Sequence, residues 1–149
     1  MIVGLTSGTF DLFHHSHLLF LERCKSYCQK LIVGVDSNEL VKKTKGDKRP
    51  IHDEIHRFNL LSSLQVVDSC FILKSLEQLT QISIEFNVSK FFKCETFKDC
   101  KHIYGVHDAK AELVIIPDLP GMISTSKIIQ DILERYAGLE GFLLNGGDW

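Results

Sequence analysis

The amino-acid sequence predicts a doubly wound α/β fold: a five-stranded parallel sheet with helices on both faces, in a single domain. Three observations predict it. Short apolar runs recur along the chain at Ile2–Thr6, Leu31–Val35, Cys70–Leu73, Lys90–Lys93 and Leu113–Ile116. Near-continuous apolar runs of that length are the mark of strands buried on both faces. The segments between them space their apolar residues as helices do. Finally, the first strand, helix and strand together take about 35 residues, the length of a βαβ unit with its right-handed crossover.

The elements follow in order. Ile2–Thr6 is the first strand, ending in Ser7-Gly8, and Gly8-Thr9-Phe10-Asp11 is a loop. From about His15 to Cys28, Leu18, Leu19, Leu21 and Cys28 recur at helical spacing. Leu31–Val35 is the second strand. The segment Asp36–Pro50, with Lys42, Lys43, Lys45, Lys48 and Arg49, reads as a basic loop. Asp53–Leu64 is a helix carrying Arg57, Cys70–Leu73 the third strand, Leu76–Phe86 a helix and Lys90–Lys93 a short fourth strand. Glu95–Lys110 reads as irregular. Leu113–Ile116 is the fifth strand, closed by Pro117, and Pro120-Gly121 is a turn. Ser124-Thr125-Ser126 then opens a helix containing Ile128, Ile129, Ile132 and Leu133. The domain is expected over residues 1–137. A tail over residues 138–149, with little pattern, is expected to be mobile.

Composition narrows the function classes. Hydrophobic residues make up 44% and charged residues 24% of 149 residues, an ordinary globular mix able to bury a core without staples. The net charge of −2 supplies no strong field for nucleic acid or an anionic membrane. An anionic ligand must therefore be held by a local cluster of donors. The five cysteines, Cys24, Cys28, Cys70, Cys94 and Cys100, form no C-x-x-C pair and read as reduced thiols. Met1 leads directly into Ile-Val-Gly-Leu, without a signal-like start, and no apolar run reaches the roughly 18 residues a membrane span needs. The expectation is a soluble cytoplasmic protein with no membrane or nucleic-acid partner.

Three polar segments each follow a strand and should converge at the carboxyl edge of the sheet, where ligands bind in such folds. In Gly8-Thr9-Phe10-Asp11-Leu12-Phe13-His14-His15-Ser16-His17, Gly8 allows a sharp turn and a close approach to a ligand. His14 and His17 share one face at a helix start, where partial positive charge and ring N–H groups suit phosphate oxygens. His15 points away. Two other readings stay open: surface histidines without a role, or a metal site of Asp11, His14 and His17. Lys45-Gly46-Asp47-Lys48-Arg49-Pro50-Ile51, followed by Arg57, offers cations to a developing negative charge, or is a solvated basic loop. Ser124, Thr125 and Ser126 offer donors to an anion, or include a simple helix cap.

In this order and spacing the segments resemble the cytidylyltransferase-like nucleotidyltransferases over about residues 1–135. Gly8-Thr9-Phe10-Asp11 with His14-x-x-His17 is similar to the family's G-[TV]-F-D…H-x-G-H signature, and Lys45-Gly46…Arg49-Pro50-Ile51…Arg57 to its lysine loop and following arginine. Ile123-Ser124-Thr125-Ser126-Lys127-Ile128 is similar to its I-S-T-T/S-x-I signature. Glycerol-3-phosphate, phosphocholine and phosphoethanolamine cytidylyltransferases and the heptose-1-phosphate adenylyltransferases are the members it resembles most.

The resemblance implies attack of an acceptor's phosphate oxygen on the α-phosphorus of CTP or ATP, with pyrophosphate leaving and Mg²⁺ neutralising the β and γ phosphates. His14 and His17 would stabilise the transition state, and Lys45 would bind phosphate oxygens from a mobile loop. Arg57 would help hold the acceptor phosphate or its loop. Ser124, Thr125 and Ser126 would hold the β and γ phosphates. Gly8, Thr9, Phe10 and Asp11 would line the nucleotide site, with Ser16, Cys94 and Glu95 beside them, and no protein residue is expected as a dedicated metal ligand.

Departures fall on base and acceptor recognition. Ser16 and Cys94 stand where relatives have Gly, Phe97 stands for an aromatic, Pro117–Gly121 lacks an Arg, and an extra residue precedes Ile123. The leading expectation is cytidylyl transfer from CTP to a phosphorylated metabolite such as glycerol 3-phosphate. Adenylyl transfer from ATP to a sugar phosphate or FMN is the alternative, and a degenerate non-catalytic nucleotide-binding module a third. A homodimer is expected, with Phe91, Phe92 and Tyr104 available for a partner to cover.

Overall fold

The computed structural model describes residues 1–139 and sets five strands where the apolar runs predict them: β1 (Val3–Gly8), β2 (Lys30–Asp36), β3 (Ser69–Leu73), β4 (Lys90–Cys94) and β5 (Glu112–Ile116). All pairs are parallel, in the order β3-β2-β1-β4-β5. The chain builds outward from β1 to β3, then returns past β1 to β4. The sheet direction therefore switches between β1 and β4, where Thr6 pairs with Phe92 on one side and with Val33 on the other. Such a switch opens a crevice at the strands' carboxyl ends.

Residues alternate between two cores along the strands. Leu31, Val33 and Val35 of β2, Phe92 of β4 and Ile116 of β5 pack on one face with Leu21 and Cys24 of α1 (His15–Ser26) and Leu61 of α3 (Glu54–Ser62). Val3, Leu5, Ile32 and Phe91 pack on the other face with Leu79 of α4 (Glu77–Glu85). Leu40 of α2 (Asn38–Lys45) packs against this second cluster, and α5 (Thr125–Tyr136) closes the series. Among the described residues no helix is long and apolar enough to cross a membrane, and all five cysteines are free thiols.

Two expectations need correcting. The basic stretch after β2 is not a loop throughout: its first half is α2, capped by Ser37, whose Oγ accepts from Leu40 N at 3.2 Å. Val41 is completely buried beneath it, and Gly46, at φ +91°, ends the helix. The density of lysines hides an amphipathic helix whose charged face is simply its solvent face. Phe91 and Phe92 are unavailable to a partner, because β4 is an inner strand covered on both sides and both rings are fully buried. Tyr104 is half-buried against the core. Residues 95–110 are irregular as expected, comprising a short 3-10 turn (Glu95–Phe97) and successive turns that bury Ile103 and Val106. Residues 140–149, most of the tail, lie outside the described residues.

Candidate active site

The loop from β1 to α1 is held in an unfavourable backbone conformation. Phe10 and Leu12 have φ values of 50° and 46°, a region where each non-glycine residue costs about 1–3 kcal/mol. The Asp11 side chain between them supplies the compensation. Its Oδ1 accepts from Leu12 N at 3.1 Å and His52 N at 3.0 Å, and its Oδ2 from Ile51 N at 2.7 Å and Arg49 Nε at 2.8 Å. Burial pushes this carboxyl up. The backbone donors of His52 and Ile51, with Arg49, outweigh that and hold it below the usual carboxylate range. One carboxylate thus ties the first loop to the end of the lysine loop. Both of its oxygens are thereby committed to hydrogen bonds within the protein. Gly8 ends β1 in extended conformation rather than at a turn; an added Cβ there would meet the Phe10 ring at 3.2 Å.

His14 caps the start of α1, and its N–H donates to His17 Nδ1 at 3.3 Å. The two rings stack with centroids 3.7 Å apart and planes 20° apart. Burial, then the charge of His14 and Lys45, pushes His17 down to about 3, and burial lowers His14 as well. Near pH 7 both imidazoles are therefore neutral, at a helix N-terminus that attracts negative charge. Both ring nitrogens of His14 and one terminal nitrogen of Arg49 are buried without a hydrogen-bond partner. His15 is exposed, as expected.

The hydroxyl run at the start of α5 divides its labour. Ser124 Oγ caps the helix, accepting from Lys127 N at 3.1 Å. Thr125 Oγ1, buried, donates to Asp11 O at 2.7 Å and pins α5 to the first loop. Ser126 lines the cavity beside them. Ser16 is buried rather than crowding a ligand: its Oγ accepts from Ile123 N at 2.8 Å, joining α1 to the loop before α5.

These elements enclose a cavity of about 530 Å³ at the carboxyl ends of the strands. Of the residues singled out by sequence, Gly8, Thr9, Phe10, Asp11, His14, Ser16, His17, Lys45, Cys94, Ser124, Thr125 and Ser126 all line it. Two do not. Glu95 turns to Asp118 N, 3.2 Å from its Oε2. Arg57 is 1% exposed, with its guanidinium committed to His52 O (2.9 Å), Thr9 O (2.8 Å), Asp36 O (2.7 Å) and Asn38 Oδ1 (3.0 Å). Sequence reasoning missed Asp36 and Lys93, which line the cavity from the carboxyl ends of β2 and β4. The available signal was position: a charged residue closing an apolar strand on the ligand-binding edge.

A parallel α/β sheet with two helix N-termini and buried side-chain nitrogens without partners at its switch point has the form of the anion-binding α/β proteins. Comparison with known proteins gives the family. The model of the cytidylyltransferase-like family matches residues 5–131, and the chain belongs to that family of nucleotidyltransferases. The bifunctional protein HldE of Geobacter metallireducens is 34% identical over 140 residues, covering 90% of this chain and 27% of that protein. HldE of Campylobacter jejuni subsp. doylei is 35% identical, with 89% and 28% covered. The chain thus spans about a quarter of the length of these relatives. Among solved structures, the lipopolysaccharide core biosynthesis protein of Thermoplasma volcanium superposes with a TM-score of 0.62 at 25% identity, covering 80% of this chain and 97% of that one. Pantothenate synthetase of Thermus thermophilus shares the fold, with a TM-score of 0.55, 14% identity and coverage of 93% and 70%.

Proposed function

We propose that the chain is an adenylyltransferase that transfers AMP from ATP to a sugar phosphate and releases pyrophosphate. The observation that carries nucleotidyl transfer is the set of buried side-chain nitrogens without partners, the two of the His14 ring, one of which carries a proton to donate, and the spare Arg49 N–H group, in residues that line one cavity with Lys45 and the N-terminus of α5. Buried polar atoms without partners are rare, and these suit a polyanion. The sequence leans to CTP and glycerol 3-phosphate. The HldE relatives and the lipopolysaccharide-core neighbour move the preference to ATP and a sugar phosphate, as does the likeness of Lys45-Gly46…Arg49-Pro50 to the heptose adenylyltransferase loop.

In this reaction an oxygen of the acceptor's phosphate attacks the α-phosphorus of the triphosphate. The bond from that phosphorus to the β-bridging oxygen breaks, and its electron pair leaves with pyrophosphate. The acceptor oxygen is already anionic, so no general base is required. Catalysis is then positioning and charge stabilisation. His14 and His17 would donate to the crowded α-phosphate oxygens, Lys45 to the departing pyrophosphate, and Ser126 with the first N–H groups of α5 to the terminal phosphates. Arg57 takes the loop-holding role of the two the resemblance offers. Among the described residues no group of three or more His, Cys, Asp or Glu is arranged to hold a metal. That suits Mg²⁺ held mainly by the nucleotide's own phosphate oxygens, where it would neutralise charge.

A homodimer and a cytoplasmic site of action belong to the same reading; sedimentation as monomer at working concentration would remove the dimer. The deciding assay follows pyrophosphate release with ATP or CTP against a panel of sugar phosphates and glycerol 3-phosphate. Release with ATP and a sugar phosphate is expected. Release with CTP alone would restore the cytidylyl reading, and no release from any pair would leave a binding module.

A further inference from the structure

Asp36 and Lys93 line the cavity and have no role in the site described above. Lys93, from β4, donates from Nζ to Ser7 O at 3.2 Å and Ser7 Oγ at 3.0 Å. It rests 4.8 Å from the centroid of the Phe97 ring, an arrangement that fixes an otherwise mobile ammonium and leaves its third proton free. Asp36 closes β2, and its backbone is fixed by the Arg57 bond to its carbonyl. Thr9 Oγ1, at 3.2 Å, supplies the only hydrogen bond to the Asp36 carboxylate among the described residues. β1 separates the two strands, so their backbones stand about 10 Å apart. The charges influence each other, yet among the described residues Asp36 and Lys93 form no direct ion pair. A gap of that kind, floored by β1 and facing the cavity, is a place for a ligand that bridges them.

We propose that Asp36 and Lys93 form the subsite that reads the acceptor: Lys93 binds the attacking phosphate, and Asp36 accepts a hydrogen bond from a hydroxyl on the carbon skeleton beside it. This rests on the nucleotidyltransferase reading for the identity of the cavity and deepens it by assigning the residues that select a polyhydroxylated phosphate. A carboxylate facing a polyanion is repulsive unless the ligand brings it a donor. Two kinds of acceptor bring one, hydroxylated phosphates and those with a cationic head such as phosphoethanolamine. The surroundings favour the hydroxyl. Burial pushes the Asp36 carboxyl up despite the positive charges of Lys93, Arg57 and Lys45, and a further cation would enter against those three. A neutral hydroxyl adds a charge-assisted hydrogen bond without that cost. The lining also includes Leu40 and Thr44 of α2, the helix that follows Asp36, and Leu76, a mixed wall suited to a carbon skeleton.

The test is equilibrium binding by calorimetry, with the full chain loaded with a non-hydrolysable ATP analogue and Mg²⁺. The titrants are several aldose 1-phosphates, glycerol 3-phosphate, phosphoethanolamine and inorganic phosphate. At least one hydroxylated phosphate should bind the wild type about tenfold or more tightly than phosphoethanolamine. Asp36→Ala should abolish that preference, weakening the hydroxylated ligand about tenfold while moving nucleotide affinity less than about twofold. Asp36→Asn, which keeps an acceptor oxygen, should restore most of it. Lys93→Met should weaken every phosphate alike, inorganic phosphate included, and Lys93→Arg should rescue part. Thermal unfolding of each variant guards against misfolding. Equal loss of nucleotide and acceptor binding in Asp36→Ala, a preference for phosphoethanolamine, or no binding of any hydroxylated phosphate would each overturn the proposal. Pyrophosphate release is scored separately. Binding without release would remove the transferase reading and leave the subsite standing.

Discussion

Replacing Arg57 by alanine separates two roles that a sequence motif cannot distinguish. The side chain is 1% exposed and serves four acceptors, the carbonyls of Thr9, Asp36 and His52 and the side-chain amide of Asn38, at 2.7–3.0 Å. Truncation strands those acceptors and opens a void beside them. Each stranded buried acceptor costs about 1–3 kcal/mol, and water entering the void recovers part, so about 4 kcal/mol is expected in total. For a chain of this length each kcal/mol lowers the melting temperature by about 2–4 °C, giving a fall of about 8–16 °C. Arg57→Lys, which reaches one or two of the four acceptors, should fall about half as far. Urea and thermal unfolding measure the stability, and pyrophosphate release well below the melting temperature measures activity. The reasoning predicts a large stability loss, with activity falling through displaced Thr9 and Asp36. A variant destabilised by less than about 1 kcal/mol yet inactive would refute it, because Arg57 would then act on substrate directly.

Other outcomes follow from the same geometry. His17→Ala should cut turnover by about 10²–10³-fold while the fold survives in circular dichroism; near-normal turnover would mean the site is misplaced. His17 is pushed down to about 3 in the folded chain against about 6.5 when unfolded, so it binds a proton more readily unfolded. Its contribution to stability is therefore whole above about pH 6.5 and is lost as pH falls from there towards 3, and His17→Gln should flatten urea midpoints across that window. Asp11→Ala removes four hydrogen bonds from the strained loop and should raise the backbone amide exchange of Ile51 and His52, which unchanged exchange would contradict. Ser16→Ala deletes the acceptor for Ile123 N and should raise the nucleotide KM more than it lowers kcat; an unchanged KM would show that the loop is held by other means.

The strands were legible because parallel strands buried on both faces read as apolar runs whatever their neighbours. The histidine and hydroxyl segments were legible because each occupies a strand-to-helix junction with its own residue pattern, and the lysine segment, which joins α2 to α3, because of its residue pattern alone. What stayed hidden depended on partners distant in sequence. Nothing local marks Arg57 as a brace rather than a phosphate ligand; that follows from carbonyls contributed by Thr9, Asp36 and His52, brought together only by the fold. Helix α2 was obscured because its lysines dominate the local composition while its packing depends on Leu40 and Val41. Asp36 and Lys93 sit 57 positions apart and become neighbours only once β2 and β4 flank β1.

The departures from the family signature acquire a common physical sense. Ser16 replaces a glycine, and an extra residue lengthens the segment that ends at Ile123. Taken alone, the first would crowd the histidine helix and the second would loosen the loop that delivers Ser124–Ser126. In the fold they meet: the added hydroxyl receives the N–H of Ile123 at 2.8 Å, fastening the longer loop to α1. Thr125 fastens the following helix to Asp11 O, and Asp11 in turn holds Arg49, Ile51 and His52. The three motif segments are thereby joined through one part-buried hydrogen-bonded chain. A degenerate binding module has no need to keep the histidines, the lysine loop and the hydroxyl run in mutual register. Transfer between two bound phosphates does, because a small misplacement of the reacting groups costs orders of magnitude in rate.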